Sequence, residues 1–278
     1  MGITIEEWTA VEVAEPAPRA TTGPAAVLSI FNQKGGVGKT TSTISIAAAL
    51  AEYGRKVLVV DFDPQGSLTV GLTGNHEIFP TIYDVLLGNA QVADALLKTR
   101  VPGVDLLPAG IDLSSAEIQL VNEVGREFTL NRVLAPLVSD YDYILIDCLP
   151  SLGLLAINAL ATSIGLIIPL QCEFYALKGI GLLEETLEKV QLRINPSISI
   201  KGILPTMVSR SLHHREVLER VIESFGDVVF HTTIPDTIKM SDATMAAQPI
   251  TVYASSSPAA IAYRKVAAEL IQRIEATA

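Results

Sequence analysis

Three clusters of residues in this sequence have types and spacings suited to chemistry on a phosphate anion. The first is Lys34-Gly-Gly-Val-Gly-Lys-Thr-Thr41. Gly35, Gly36 and Gly38 allow a turn tight enough to point successive N–H groups inward, those of Val37 and Thr41 among them. A helix opening at Thr40 would add the positive end of its dipole. Lys39 is placed to reach β- and γ-phosphates, and the Thr40 hydroxyl to coordinate Mg²⁺. A ligand-free glycine turn has no use for a lysine followed by two threonines at a helix start.

The second cluster is Asp61-Phe-Asp-Pro-Gln-Gly66. Asp61 and Asp63 are two apart, and Pro64 and Gly66 force a turn after them. One carboxylate here could orient or deprotonate an attacking water while its neighbour holds Mg²⁺ through water. In isolation, an Asx turn before Pro64 accounts for Asp63 equally well. The third cluster is Tyr143-Ile-Leu-Ile-Asp147, an apolar run ending in a carboxylate. The C-terminal end of such a strand is where an α/β protein brings an acid to a bound cation. Capping of the following helix is the alternative use of Asp147.

These clusters need strands and helices to position them. Short apolar runs at 27–31, 56–60, 104–108, 143–146, 166–170, 200–206 and 228–233 read as strands. Helical patterns lie at 40–53, 113–123, 127–138, 153–162, 176–193, 215–225 and 258–274. Alternation of this kind predicts an α/β fold with a doubly wound, mostly parallel sheet flanked by helices. Residues 1–26, with Pro16, Pro18 and Pro24 among small residues, read as a flexible tail. Residues 27–278 contain no linker and read as one domain.

Composition narrows the function classes. An apolar share of 49% against 18% charged residues excludes disorder as the main state. Two cysteines, Cys148 and Cys172, lie in strand-like runs, which excludes a disulfide scaffold and suggests a reducing, cytoplasmic compartment. Their burial also argues against an exposed metal cluster. Mean hydropathy is +0.40, yet no run approaches the roughly 18 apolar residues of a membrane helix. No basic region followed by an apolar core opens the chain, so no signal peptide is expected. The net charge of −10 is uneven: residues 1–26 carry Arg19 against four glutamates, whereas residues 201–278 balance eight bases with eight acids. An anionic partner would have to find a local patch in that last third.

The usual phosphate loop, G-x-x-x-x-G-K-[ST], has a glycine where Gln33 stands, and here Lys34 follows as an extra cation. This departure resembles the deviant Walker A motif of the ParA/MinD class of P-loop ATPases. Asp61-Phe-Asp-Pro-Gln-Gly66, Asp147-Cys-Leu-Pro-Ser-Leu152, Pro169-Leu-Gln-Cys-Glu-Phe-Tyr175, Gly202-Ile-Leu-Pro-Thr-Met207 and Pro249-Ile-Thr-Val-Tyr253 are similar to its ParA/Soj partition branch. The resemblance implies a P-loop NTPase fold, ATP hydrolysis with Mg²⁺, and an ATP-bound homodimer in which Lys34 serves the partner's nucleotide. It assigns the water role to Asp63, the metal to Thr40, Asp61 and Asp147, and the surroundings of the base to Pro205 and Met207. It further implies non-specific DNA binding, nucleoid association and a ParB-like activator, with no membrane partner. The DNA-binding candidates are Arg210, Arg215, Lys239, Arg264 and Lys265. Where relatives carry Ile-Pro-Arg-Asn-Val-Arg, this chain has Ile234-Pro-Asp-Thr-Ile-Lys239, which weakens that patch. The competing reading is a MinD-like ATPase that positions a protein cargo or division site. Residues 258–278 lack the bulky aromatic face that a membrane-binding helix would need.

Overall fold

Runs rich in Val, Ile and Leu become parallel strands here because helices cover both faces of the sheet. The computed structural model describes residues 5–18, 23–173, 176–209 and 211–276. Its strands are β1 (Ala26–Ile30), β2 (Val57–Phe62), β3 (Leu97–Lys98), β4 (Val104–Leu107), β5 (Tyr143–Cys148), β6 (Gly165–Gln171) and β7 (Ser199–Thr206). They form one sheet in the order β3-β4-β2-β5-β1-β6-β7, parallel except for β3 against β4. The register sets Asp147 beside both Ile30 and Asp61, so the C-terminal ends of β1, β2 and β5 are level.

The helices, in chain order, are α1 (Ile5–Thr9), α2 (Lys39–Glu52), α3 (Ser67–Thr73), α4 (Ile82–Leu86), α5 (Val92–Ala95), α6 (Ala116–Leu120) and α7 (Thr129–Leu134). They continue as α8 (Leu154–Thr162), α9 (Ala176–Arg193), α10 (Leu212–Phe225), α11 (Lys239–Met245), α12 (Ile250–Tyr253) and α13 (Pro258–Glu275). Strand residues alternate between two cores. Leu28, Ile30, Tyr143 and Leu145 join α2 and α13 on one face, whereas Val27, Ile144 and Ile146 join α8, α9 and α10 on the other. α2 can lie directly under α13 because both present alanines: Ala47, Ala48 and Ala49 from one, Ala259, Ala260 and Ala267 from the other, all buried. On α9 the buried residues Ile180, Leu183, Leu187 and Val190 follow helical spacing and face the sheet.

Most expected elements are present, with one correction. Residues 228–233 are not a strand; one isolated bridge joins Val229 to Ile203. Side chains of α13 take the backbone groups that a ladder would have used. The Glu269 carboxylate accepts from His231 N at 2.9 Å, Thr232 N at 3.0 Å and Thr232 Oγ1 at 2.5 Å. Arg273 donates to the carbonyls of Lys201, Val228 and Val229 at 2.9–3.0 Å. The seventh strand is instead the short edge β3.

Residues 5–18 lie against the body, with Trp8 only 5% exposed. Trp8 Nε1 donates to the Phe230 carbonyl at 3.3 Å, and its ring centroid lies 4.3 Å from that of His231. One buried indole supplies enough apolar area to anchor a short helix.

The Glu269 contacts generate a test. Glu269→Ala strips the acceptor from two partly buried backbone N–H groups and removes the carboxylate 3.6 Å from Arg273, so the chain should lose about 3 kcal/mol of stability. Urea unfolding measures this; an unchanged midpoint would contradict the clamp.

Candidate nucleotide-phosphate site

The phosphate loop leaves β1 and turns into α2 with Gly36 at φ 77° and Gly38 at φ 85°, left-handed values that favour glycine at both places. Gly38 caps α2 without any side-chain hydrogen bond. The first N–H groups of this helix therefore face the crevice as an anion site. Lys39 is buried, and its Nζ donates to the Lys34 carbonyl at 3.2 Å rather than to a carboxylate. Burial lowers its pKa, while the charges of Asp147 and Asp63 work in the opposite direction. A phosphate entering the loop would relieve that desolvated ammonium.

Asp61 and Asp147 are the next charges in. Asp61 Oδ2 accepts from Thr69 N at 2.8 Å and from Thr69 Oγ1 at 2.7 Å, which ties β2 to α3. Its other oxygen accepts from Asp63 N at 3.3 Å. Burial pushes the Asp61 carboxyl up to about 6. Asp147 is pushed up to about 8, by burial first and then by the Asp61 charge, against the hydroxyls of Thr40 and Thr43. Thr43 Oγ1 reaches Asp147 Oδ1 at 3.2 Å. Asp147 Oδ2 is buried with no hydrogen-bond partner.

An orphaned buried carboxylate oxygen, with the Thr40 hydroxyl on the same group, fits a hard divalent cation such as Mg²⁺. Among the described residues no three His, Cys, Asp or Glu side chains are spaced to hold a metal. Mg²⁺ here would share its coordination with phosphate oxygens and water, as is usual for this ion. Thr40 and Asp147 are the better placed of the metal candidates, because both Asp61 oxygens already accept protein donors.

Asp63 adopts the Asx turn: its Oδ1 accepts from Gln65 N at 3.0 Å, at the rim of the same crevice. Lys34 points along its own chain, donating to Glu173 Oε2 at 2.5 Å and to Gln171 Oε1 at 3.1 Å. Both side chains of the ion pair are about half exposed, at 49% and 47%. Such a pair is worth about 1 kcal/mol or less, so Lys34 is readily released.

A second cleft, of about 160 Å³, opens beside the loop. Gly38, Thr41, Thr206, Met207, Asp236 and Thr237 are among its lining residues. Apolar Met207, Ile234 and Met240 line it together with polar Asp236 and Thr237, a mixed lining that could take a planar base with its sugar. Thr206 Oγ1 donates to the Val37 carbonyl at 2.8 Å, joining β7 to the loop. Met207 lines this cleft, whereas Pro205 does not; Pro205 lies within β7, its carbonyl accepting from Ile234 N at 2.8 Å. Sequence reasoning missed Thr43, Thr206 and Thr237. Thr43 had a signal, since it lies one helical turn beyond Lys39; the other two depend on how distant segments meet.

The basic candidates separate. Lys239 and Lys265 are exposed. Arg215 is paired with Glu6 at 2.8 Å. Arg210 lies outside the described residues. Arg264 is committed to the protein itself, reaching Glu52 Oε1 at 3.1 Å, Ser255 Oγ at 2.7 Å and the Thr251 carbonyl at 3.1 Å, which removes it from the exposed patch.

A glycine loop ahead of a helix at the centre of a parallel sheet, with a buried lysine and paired carboxylates at the strand ends, defines a P-loop ATPase. A family model described as an AAA domain matches residues 25–200. The chain is 45% identical to the chromosome-partitioning ATPase Soj of Treponema pallidum, over 88% of this chain and 97% of that protein. It is 53% identical to the uncharacterized protein Rv1708 of Mycobacterium tuberculosis, over 94% of this chain and 83% of that one. Its fold is similar to a crystal structure of cobyrinic acid a,c-diamide synthase from Mycobacterium smegmatis with bound ADP and magnesium. That match has a TM-score of 0.80 and 41% identity, covering 91% of this chain and 97% of the other. The chain belongs to the ParA/Soj-type family of P-loop ATPases.

The raised carboxylates give a pH signature. Folded Asp147 holds its proton up to about 8, whereas the unfolded chain releases it in the ordinary carboxylate range. Between those limits the folded state binds more protons, so metal-free stability falls as pH rises and levels off above about 8. Thermal unfolding in EDTA across this window should show that decline, and Asp147→Asn should flatten its upper part. An identical slope in Asp147→Asn would contradict the assignment.

Proposed function

We propose that this chain is an ATP-switched partition ATPase that dimerises around ATP and Mg²⁺, binds DNA non-specifically and segregates a chromosome or plasmid with a ParB-like activator. The observation that carries the reading is Lys34. Lys39 already supplies the lysine that one phosphate loop needs. A second lysine, held by a half-exposed ion pair to Glu173 and a hydrogen bond to Gln171, suits a partner's phosphates. The named role of the Soj relative as a chromosome-partitioning ATPase supports the same conclusion.

Each residue has a place in the switch. Backbone N–H groups from Gly35 to Thr41 and the Lys39 ammonium hold the phosphates. Thr40 and Asp147 hold Mg²⁺, which when bound neutralises charge developing on the phosphate oxygens. Asp61 holds α3 through Thr69 and adds negative charge beside Asp147. Asp63 orients the attacking water from the rim. Lys34 leaves Glu173 and crosses to the partner's nucleotide, so hydrolysis removes the ligand that holds the dimer together. Positioning and charge account for catalysis of this kind, and intrinsic turnover is slow until an activator completes the site. On the surface, Arg215, Lys239 and Lys265, with Arg210, supply the DNA contacts, and dimerisation doubles them. A cytoplasmic, nucleoid-associated location follows from that activity.

Light scattering and DNA co-sedimentation test the switch. Asp63→Ala should trap an ATP-bound dimer that pellets with duplex DNA, while Lys34→Ala should remain monomeric with ATP. DNA binding should weaken steeply with salt, each neutralised phosphate adding about 0.9 to the log–log slope. Monomeric wild type and Asp63→Ala at micromolar concentration with ATP would refute the sandwich. A dimer that ignores DNA even at low salt would instead favour the MinD-like positioner of a protein cargo.

A further inference from the structure

The N-terminal segment is acidic and sits on one of the few basic residues of the last third. Residues 5–18 carry Glu6, Glu7, Glu12 and Glu15 and no lysine or arginine. Glu6 Oε1 lies 2.8 Å from an Arg215 guanidinium nitrogen. Trp8 fixes this contact. Its indole packs on His231, its Nε1 donates to the Phe230 carbonyl, and its own carbonyl lies 3.1 Å from His231 Nδ1. Further along, Gln272 of α13 donates to the Ala14 carbonyl at 3.2 Å. The segment thus runs from α10 across α13 towards β1 as a strap.

We infer that this strap is an acidic mask: it occupies Arg215 on α10 in place of a polyanion and is displaced when duplex DNA binds there. The inference rests on the DNA-binding reading above and adds its regulation. Three features make the strap displaceable rather than structural. Its helix has five residues, too short to hold together alone. Among residues 5–18 only Trp8 is fully buried, with Ile5 partly buried beside the core, so little apolar area holds the segment down. The Glu6–Arg215 pair is open to water, with the two side chains 65% and 47% exposed, and is therefore weak and screened by salt. A DNA phosphate presents Arg215 with the same kind of partner as Glu6, at far higher local charge density. The mask also follows from the composition. A chain of net charge −10 would bind DNA through a small patch, and covering one member of that patch changes affinity without touching the phosphate site.

Trp8 is the sole tryptophan of the chain, so its emission reports the strap directly. The experiment uses full-length protein with ATP and a duplex of random sequence, reading DNA affinity and Trp8 emission together. Wild type should show a red shift of Trp8 emission on adding DNA, as the indole leaves the His231 ring for water. Glu6→Gln, a surface change that leaves Trp8 in place, should bind DNA about threefold more tightly. Trp8→Ala, which frees the whole strap, should bind tighter still, and Glu6→Gln guards against any loss of folding in that variant. ATP hydrolysis without DNA should match wild type in Glu6→Gln. If all three proteins bind DNA alike and Trp8 emission does not move, the mask is wrong while the DNA reading stands. If none binds DNA, the DNA reading fails and the mask with it.

Discussion

Two carboxylates shut away from water at the ends of neighbouring strands set the terms for the rest of this structure. Asp61 and Asp147 are register partners on β2 and β5, and both are fully buried. Each disfavours ionisation of the other, and burial disfavours it in both. The fold answers with hydroxyls: Thr69 on Asp61, Thr40 and Thr43 on Asp147. With the backbone N–H groups of Thr69 and Asp63 on Asp61, these satisfy all but one oxygen. Asp147 Oδ2 remains, beside the helix N-terminus and a buried lysine. A parallel sheet is what makes such a concentration of charge possible, because it delivers several strand ends to one crevice. That unpartnered oxygen fits a divalent cation shared with a phosphate.

α13 organises the opposite side of the crevice. Tyr263 meets Ser42 of α2 at 3.0 Å, and Glu269 with Arg273 holds residues 228–232. That held segment runs on to Ile234, Pro235 and Asp236 in the wall of the base cleft. It also carries Phe230 and His231, on which Trp8 rests. One helix therefore contacts α2, the segment that leads to the cleft beside the phosphate loop, and the N-terminal segment.

How far the sequence was legible follows from the range of the interactions involved. The phosphate loop was readable because glycine, lysine and threonine act within eight consecutive residues. α9 was readable to its ends because its apolar spacing is a property of one helix. Residues 228–233 looked like a strand by composition, yet the partners that decide their conformation, Glu269 and Arg273, are about forty residues away. Trp8 carries no local signal for the same reason: its partners lie more than 220 residues on. Arg264 counted as a surface cation until its bonds to Glu52 and Ser255 were seen. The short helices α3, α4, α11 and α12 carry too few residues for a periodic signal to stand out.

The central claim is that this arrangement of charge binds Mg²⁺ with ATP and breaks the terminal phosphate bond. Phosphate release from ATP, measured for wild type and Lys39→Ala with Mg²⁺ and again with EDTA, tests it most directly. Wild type should release phosphate slowly and only with Mg²⁺, and Lys39→Ala should show background release. Undiminished release by Lys39→Ala, or release by wild type that is indifferent to EDTA, would contradict it.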